Sequence, residues 1–194
     1  MGYVKSDFII IPGLAPNGGL SGGQDSRIGV RYSFVGAEDE LPTITIGLAA
    51  LFAGNYDTGA LPAVGDGESG FVVSALVRQA FDSGLLLNGG VTRRQLSVRD
   101  ETIFNLGAGV TLGDAALLSV FYQDDSSNGN LDIGGPGFSP ARFPEVDEEF
   151  LLWGIGGSFS VSDTLSFGLD YGRKRDGKNT AKSDFVSVSA STYF

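Results

Sequence analysis

Oxygen-bearing side chains crowd one short stretch of the chain, residues 124–132, whose sequence is DDSSNGNLD. Four of them occupy positions 1, 3, 5 and 9 of a calcium-binding loop: Asp124, Ser126, Asn128 and Asp132. Gly129 falls at the sharp turn of such a loop, but position 12 is Gly135 and not the usual bidentate glutamate. A carboxylate from residues 145–149 would have to complete the site, so a solvated polar loop is the competing interpretation.

Residue types that the chain lacks restrict the chemistry further. There is no His and no Cys, which excludes Ser-His-Asp and Cys-His catalysis, ordinary zinc and haem sites, and disulfides. With 13 basic and 23 acidic residues the net charge is -10, so no basic excess exists to bind a nucleic-acid backbone. We therefore expect no enzyme activity, no cofactor beyond the calcium just described, and no nucleic-acid partner.

The elements that must position the charged groups are strands, because polar and apolar residues alternate with a period of two and no 3.6-residue stripe is sustained. The C-terminal segment shows this most clearly, since Val186, Val188 and Ala190 alternate with Ser187 and Ser189. The alternation predicts a single all-β domain over residues 1–194 with ten strands: residues 3–12, 26–36, 43–52, 71–81, 85–98, 104–112, 118–123, 149–161, 164–173 and 183–194. The first of these segments forms either a strand or a plug.

One face of nearly every predicted strand is apolar, and the other consists of Gly and Ser with scattered Arg and Asp. A soluble sandwich or barrel would carry Lys, Glu and Gln on its outer face. Small residues instead suit a crowded or water-containing interior, and a continuous band of Leu, Val, Ile and Phe suits lipid. The pattern therefore predicts a transmembrane antiparallel up-and-down β-barrel of about ten strands, with a soluble β-sandwich as the alternative.

The connections and the aromatic residues agree with this prediction. With both termini in the periplasm, the long connections at residues 13–25, 54–68, 124–148 and 174–183 all face outside, as in outer-membrane barrels. Residues 18–23 are a flexible Gly-rich loop in this interpretation, and residues 99–101 are the one short external turn. Aromatic girdles form near the periplasmic ends at Phe34, Phe81, Phe159 and Phe194, and near the external ends at Phe52, Phe104, Tyr122, Trp153 and Tyr171.

The last predicted strand ends in Phe194 with Tyr193 beside it and apolar residues at alternating positions before it. In this the chain resembles Gram-negative outer-membrane β-barrel proteins, whose C-terminal signal is read by the barrel-assembly machinery, although Thr192 stands where many members have Tyr. A ten-strand group such as the MltA-interacting-protein or OmpV-like proteins fits this layout. The outer-membrane protease, phospholipase and deacylase barrels use a catalytic His, so their activities do not carry over to this chain.

The resemblance implies a monomer in the bacterial outer membrane whose partners are the lipid bilayer, lipopolysaccharide and the barrel-assembly machinery. Residues 1–5 lack the charged and apolar regions of a secretory signal peptide. We therefore expect the sequence to be that of the mature exported protein.

Charged residues predicted on the interior face are Arg27, Arg31, Arg78, Arg94, Lys5, Asp7 and Asp170. An Arg-lined constriction favours small anions or polar solutes, because rings of charged side chains set the selectivity of a pore. The same charges can instead pair across a small barrel and fill it. The sequence thus predicts a passive narrow pore for small polar or anionic solutes.

The alternative is a non-conducting barrel that works as a structural protein, adhesin, receptor or envelope scaffold through its external loops, residues 54–68 and 124–148. Those loops are rich in Asp and Glu. We interpret these carboxylates as a solvated surface, which can also bridge to lipopolysaccharide phosphates through divalent cations.

Overall fold

The computed structural model describes residues 3–6, 20–23, 26–34, 42–54, 68–113, 115–175 and 177–192. These residues form an all-β structure with one short 3-10 helix, Pro140–Glu145. The strands are β1 Tyr3–Ser6, β2 Leu20–Gly23, β3 Ser26–Phe34, β4 Thr43–Phe52, β5 Gly70–Ala80, β6 Leu85–Leu96, β7 Asp100–Leu112, β8 Ala116–Ser127, β9 Glu149–Ser162, β10 Leu165–Arg175 and β11 Ser183–Thr192. No helix in the described residues is long and apolar enough to cross a membrane.

Nine of the strands, β3 to β11, form one antiparallel sheet in which each strand pairs with the next one along the chain. This up-and-down order confirms the predicted all-β fold and nine of the ten predicted strands. β3 and β11 are the two edges of the sheet, and in the described residues the sheet is not closed between them.

The N-terminal part of the chain differs from the prediction. β1 pairs with β2 in a separate two-stranded sheet, with Tyr3 opposite Gly23, and does not join the nine-stranded sheet. Leu20–Gly23 therefore forms a strand, although residues 18–23 were predicted to be a flexible loop. The backbone ladder to β1 explains the difference, because pairing with a partner supplies hydrogen bonds that a Gly-rich segment alone does not predict.

Two ends of the sheet differ in their connections. At the turn end, two to four residues separate β5 from β6, β7 from β8 and β9 from β10, and eight separate β3 from β4. Gly84 and Gly113 adopt positive φ angles of 81° and 62° there. At the loop end, residues 53–69, 128–148 and 176–182 form long connections, and only the β6–β7 turn at residues 97–99 is short. This division matches the predicted alternation of short and long connections.

The sheet has an exposed apolar face, on which large hydrophobic side chains project from every strand. Among the most exposed are Ile28, Val30, Phe71, Leu106, Ile155, Leu169, Val186 and Val188, with exposed fractions between 56% and 77%. In a soluble protein this side of a sheet would pack against a core, because burying apolar area is the main stabilising contribution to folding. The described residues place nothing over this face.

The opposite side, which we call the small-residue face, is rich in Gly and Ser. The ring of Phe121 lies over Gly154 and the ring of Phe185 lies over Gly172, so that a Cβ atom at either glycine would overlap the ring. This packing explains why Phe121 interrupts the apolar alternation of β8, since it points to the small-residue face where its cross-strand partner is a glycine.

Candidate functional site

Six ionisable side chains gather at the loop end of the sheet, and we name them the charged cluster: Glu68, Arg94, Arg99, Glu101, Asp125 and Glu148. Each of the six lies in a different strand or connection, and antiparallel pairing brings them to one edge. Four of them are buried, namely Glu68, Arg99, Glu101 and Asp125. Buried charges are rare unless they are paired, so the pairing within this cluster is what allows these side chains to be buried.

Arg99 in the β6–β7 turn is the centre of the cluster. Its Nη1 donates hydrogen bonds to Glu148 Oε2 at 2.9 Å and to the carbonyl oxygen of Val146 at 3.0 Å. Its Nε lies 3.6 Å from Glu68 Oε2, and the Arg99 and Glu68 side chains are only 4% and 1% exposed. Glu68 also accepts a hydrogen bond from the backbone N–H of Val98 at 3.2 Å. The guanidinium thus joins the turn to two connections that are far away in sequence.

A second group of charges continues from Arg99 onto the strands. Arg94 Nη1 donates to Glu101 Oε2 at 2.8 Å. The carboxyl of Asp125 faces that of Glu101 and lies near both guanidinium groups of the cluster. Two arginines therefore face four carboxyl groups. Because acids are in excess, both guanidinium charges have a partner in this buried setting.

The β8–β9 loop, residues 128–148, folds back on itself beside the cluster. Leu131 and Val146 form a bridge and are 9% and 0% exposed. Gly129 lies so close to the backbone of residues 146–147 that no side chain would fit there. Because Arg99 binds the Val146 carbonyl, the cluster ties this compact loop to the end of the sheet.

Lys178 and Asn179 of the β10–β11 connection bind the same loop. Lys178 Nζ lies 2.8 Å from Asp147 Oδ2 and 3.0 Å from Asp132 Oδ1. Asn179 donates to Asp132 Oδ1 at 3.1 Å and to the Asp147 carbonyl at 2.7 Å. Hydrogen bonds from Asn179 and Lys178 hold the pKa of Asp132 below its ordinary value, and the two carboxylates raise the pKa of Lys178.

The predicted calcium ligands lie in different elements. Asp124 and Ser126 belong to β8, which runs to Ser127, so the β8–β9 loop is shorter than predicted. Asn128 accepts a hydrogen bond from the Asp100 N–H, and Asp132 binds Lys178 and Asn179. Extended pairing with β7 prevents the chain from wrapping around an ion. In the part of the chain that the structure describes, no group of three or more Asp and Glu side chains is placed to hold a metal.

Five of the predicted interior charges share the small-residue face but do not form one ring. Arg27, Arg31 and Arg78 are exposed there, and their register partners on β4 are Leu51, Gly47 and Thr43. These partners are four residues apart, so the arginines form a ladder with steps of about 13 Å along the strands. Asp170 occupies the same face of β10, beside Gly156, while Arg94 is engaged in the charged cluster.

Some predictions fall on residues outside the described part of the chain. Asp7 and the predicted assembly signal, Tyr193 and Phe194, are among them, and so is the greater part of predicted strand 3–12. Lys5 belongs to β1, where the structure describes the backbone alone.

Sequence reasoning missed Arg99 and wrongly predicted that three acids are exposed. Arg99 and Glu101 were predicted to lie in an external turn, and Glu68 and Asp125 on a solvated acidic surface, yet all four are buried. A usable signal was present for Asp125 and Glu101, since each continues the alternation of its strand on the small-residue face. Nothing in the local pattern marked Glu68.

Comparison with known proteins supplies no relative: family models, curated proteins and solved structures all lack a match to this chain.

Proposed function

We propose that this chain is an integral β-barrel of a bacterial outer membrane that forms a narrow passive pore for small polar or anionic solutes. The observation that carries the proposal is the contrast between the two faces of the sheet. The exposed apolar face suits contact with lipid, and the small-residue face with its arginine ladder suits a water-filled interior. The strands of the sheet are 9 to 14 residues long, and about 9–11 residues suffice for a tilted strand to cross the hydrocarbon.

Closure of the sheet is part of this proposal, because unpaired strand edges are not tolerated in hydrocarbon. With nine up-and-down strands, β3 and β11 run in the same direction and cannot pair antiparallel. A tenth strand between them would restore the alternation and the even number that is usual in bacterial barrels. The predicted strand at residues 3–12 is our candidate for it, which requires residues 3–6 to exchange their pairing with β2 for pairing with β3 and β11.

Membrane insertion is tested by refolding the protein into detergent or lipid vesicles and comparing boiled and unboiled samples on a gel. A closed barrel should migrate differently before and after heating. Deletion of residues 1–12 should abolish that shift, because the barrel loses its closing strand. A stable monomer in buffer without detergent would contradict the membrane proposal and favour the soluble β-sandwich.

Conductance across a planar bilayer tests the pore. We expect ohmic current steps with anion preference, because the ladder of Arg27, Arg31 and Arg78 places positive charge along the interior. Arg31→Glu and Arg78→Glu should shift the reversal potential towards cation selectivity. Arg93→Glu is the matched control, since Arg93 lies on the apolar face and pairs with Asp100.

The charged cluster favours a second candidate function, a non-conducting barrel that acts through its loops. The cluster and the compact β8–β9 loop cover one end of the small-residue face, where Val72 and Ile103 are 1% and 7% exposed. Silence at every voltage, in a preparation that passes the gel-shift test, would refute the pore and leave this candidate. Current that appears only in Arg99→Met would assign the cluster to closure of the pore.

A further inference from the structure

Side chains on the small-residue face lie over glycines of the neighbouring strands. Strand side chains ordinarily stand roughly perpendicular to a sheet. Here a side-chain atom lies within 3.0 Å of the point that a Cβ atom on the opposite glycine would occupy. The arrangement recurs along the sheet in these cross-strand pairs: Ser74 over Gly47, Leu76 over Gly90, Asn88 over Gly107, Phe121 over Gly154, Asp170 over Gly156, Phe185 over Gly172 and Ser189 over Gly168. These side chains therefore extend along the wall of the sheet towards the next strand.

Gly89 and Gly157, which lie on the apolar face, differ in this respect. The side-chain atoms nearest to their Cβ positions belong to Leu106 and Leu118, at 3.2 Å and 3.4 Å. A methyl group fits at these two glycines after a small adjustment of the neighbouring leucine. Close overlap thus marks the glycines of the small-residue face, which is the interior of the proposed barrel.

The width of that interior makes the direction of its side chains decisive. A barrel of about eight strands is only wide enough for its own side chains to fill it, and the diameter grows roughly linearly with strand number. Ten strands therefore add only about a quarter to the diameter. Side chains that stood upright would still fill most of this space, whereas side chains held against the wall leave a water-filled passage.

We infer that the glycines beneath these side chains set the free width of the pore, and that Gly107 and Gly172 are specificity-determining positions for the solutes that pass. The inference rests on the proposed pore and deepens it. The three atoms nearest to each of these two Cβ positions belong to one side chain, that of Asn88 or that of Phe185. A methyl group there leaves the backbone in place and turns the amide or the ring into the interior, because the strand itself blocks the opposite direction.

Single-channel conductance of variants in a planar bilayer provides the test. G107A/G172A adds both methyl groups, and G172A/F185A adds one while removing the ring that it displaces. F185A alone removes the ring and keeps Gly172. G157A, on the apolar face, is the matched control, and every variant is first checked for the heat-dependent gel shift of a closed barrel.

We expect G107A/G172A to conduct about half as well as the wild type, because a ring and an amide then occupy a lumen with little spare width. The permeability ratio of glutamate to chloride should fall as well, since a narrower passage discriminates against the larger anion. G172A/F185A should conduct at least as well as the wild type, and G157A should leave conductance unchanged. F185A alone should stay within about a fifth of the wild-type value, since a ring that lies against the wall takes up little of the passage.

Unchanged conductance in G107A/G172A would overturn the inference. So would a clear rise of conductance in F185A, because the ring would then already occupy the passage. If the double variant loses the gel shift, F185A decides by itself: wild-type conductance supports a ring held against the wall, and a clear rise contradicts it.

A thiol at position 187 separates failure of this inference from failure of the pore. Ser187 lies two residues from Phe185 on the same face of β11, and the chain contains no cysteine of its own. A wild type that is silent at every voltage refutes the pore, but the rate at which a methanethiosulfonate modifies Ser187→Cys still measures the free width beside the ring. We expect Gly172→Ala in that background to slow the modification several-fold, and equal rates would overturn the inference.

Discussion

Replacement of Arg99 by Met tests whether the charged cluster stabilises the loop end. The substitution keeps an unbranched apolar stem but removes the guanidinium, and with it the hydrogen bonds to Glu148 and to the Val146 carbonyl. It also leaves Glu68, whose side chain is 1% exposed, without its neighbouring cation. Removing one partner of a buried ion pair costs about 3–5 kcal/mol, and we expect a loss of about 4 kcal/mol in the free energy of unfolding.

Arg93→Met is the matched control, because Arg93 also binds a carboxylate close to the same turn. Its 2.6 Å ion pair with Asp100 is solvent-exposed, at 50% and 29% for the two side chains. Exposed pairs contribute about 0.2–1 kcal/mol, so the control should lose at most that amount.

The double variant R99M/E68Q isolates the electrostatic cause. Gln at position 68 keeps an oxygen acceptor for the Val98 N–H but carries no charge, so the buried carboxylate that loses Arg99 as a neighbour is removed. We expect it to recover about half of the stability that Arg99→Met loses, since an unpaired buried charge accounts for much of such a loss.

Urea unfolding of the refolded protein, followed by the fluorescence of Trp153, measures all of these differences at a constant denaturant slope. The reasoning fails if Arg99→Met is no less stable than Arg93→Met. It also fails if E68Q gives no recovery in the Arg99→Met background.

Three further predictions concern the packing, the loops and the acid pair. Gly172→Val should lower the free energy of unfolding by about 1–3 kcal/mol, because a Cβ there overlaps the Phe185 ring. Gly157→Ala, the control, should be tolerated. Urea midpoints compare the two variants, and equal midpoints would contradict the packing argument. Because the pKa of Asp132 is lowered in the folded protein by its contacts with Asn179 and Lys178, these contacts stabilise the loops above the unfolded pKa of about 3.9 and are lost as the pH falls through the lower folded value. Hydrogen exchange in residues 128–148, corrected for the intrinsic rate, should therefore rise in acid for the wild type, and Lys178→Gln should already exchange fast at pH 7. Asp125→Asn should change the free energy of unfolding by no more than about 1 kcal/mol at pH 8, since it removes one of four carboxyl charges that only two arginines balance; a loss above about 2 kcal/mol in urea unfolding would show that the Asp125 charge itself is required.

Strand positions and faces follow from the sequence by itself, because side-chain direction alternates with every residue of a strand and the information is local. The faces on which Val186 and Ser187 lie can be assigned without knowledge of any other strand. The same rule predicted nine strands of the sheet and placed Arg31, Arg78 and Asp170 on the small-residue face.

The three members of the charged cluster that lie in connections were decided by tertiary structure alone. Arg99 meets Glu148 across 49 residues and Glu68 across 31, and all three come from connections with no periodic pattern. A carboxylate in a loop is equally compatible with solvent or with burial until the partner that neutralises it is in place. The register of β7 and β8 likewise decided the structure at Asp124 and Ser126. Ladder hydrogen bonds draw these two residues into a strand that their own residue types do not favour.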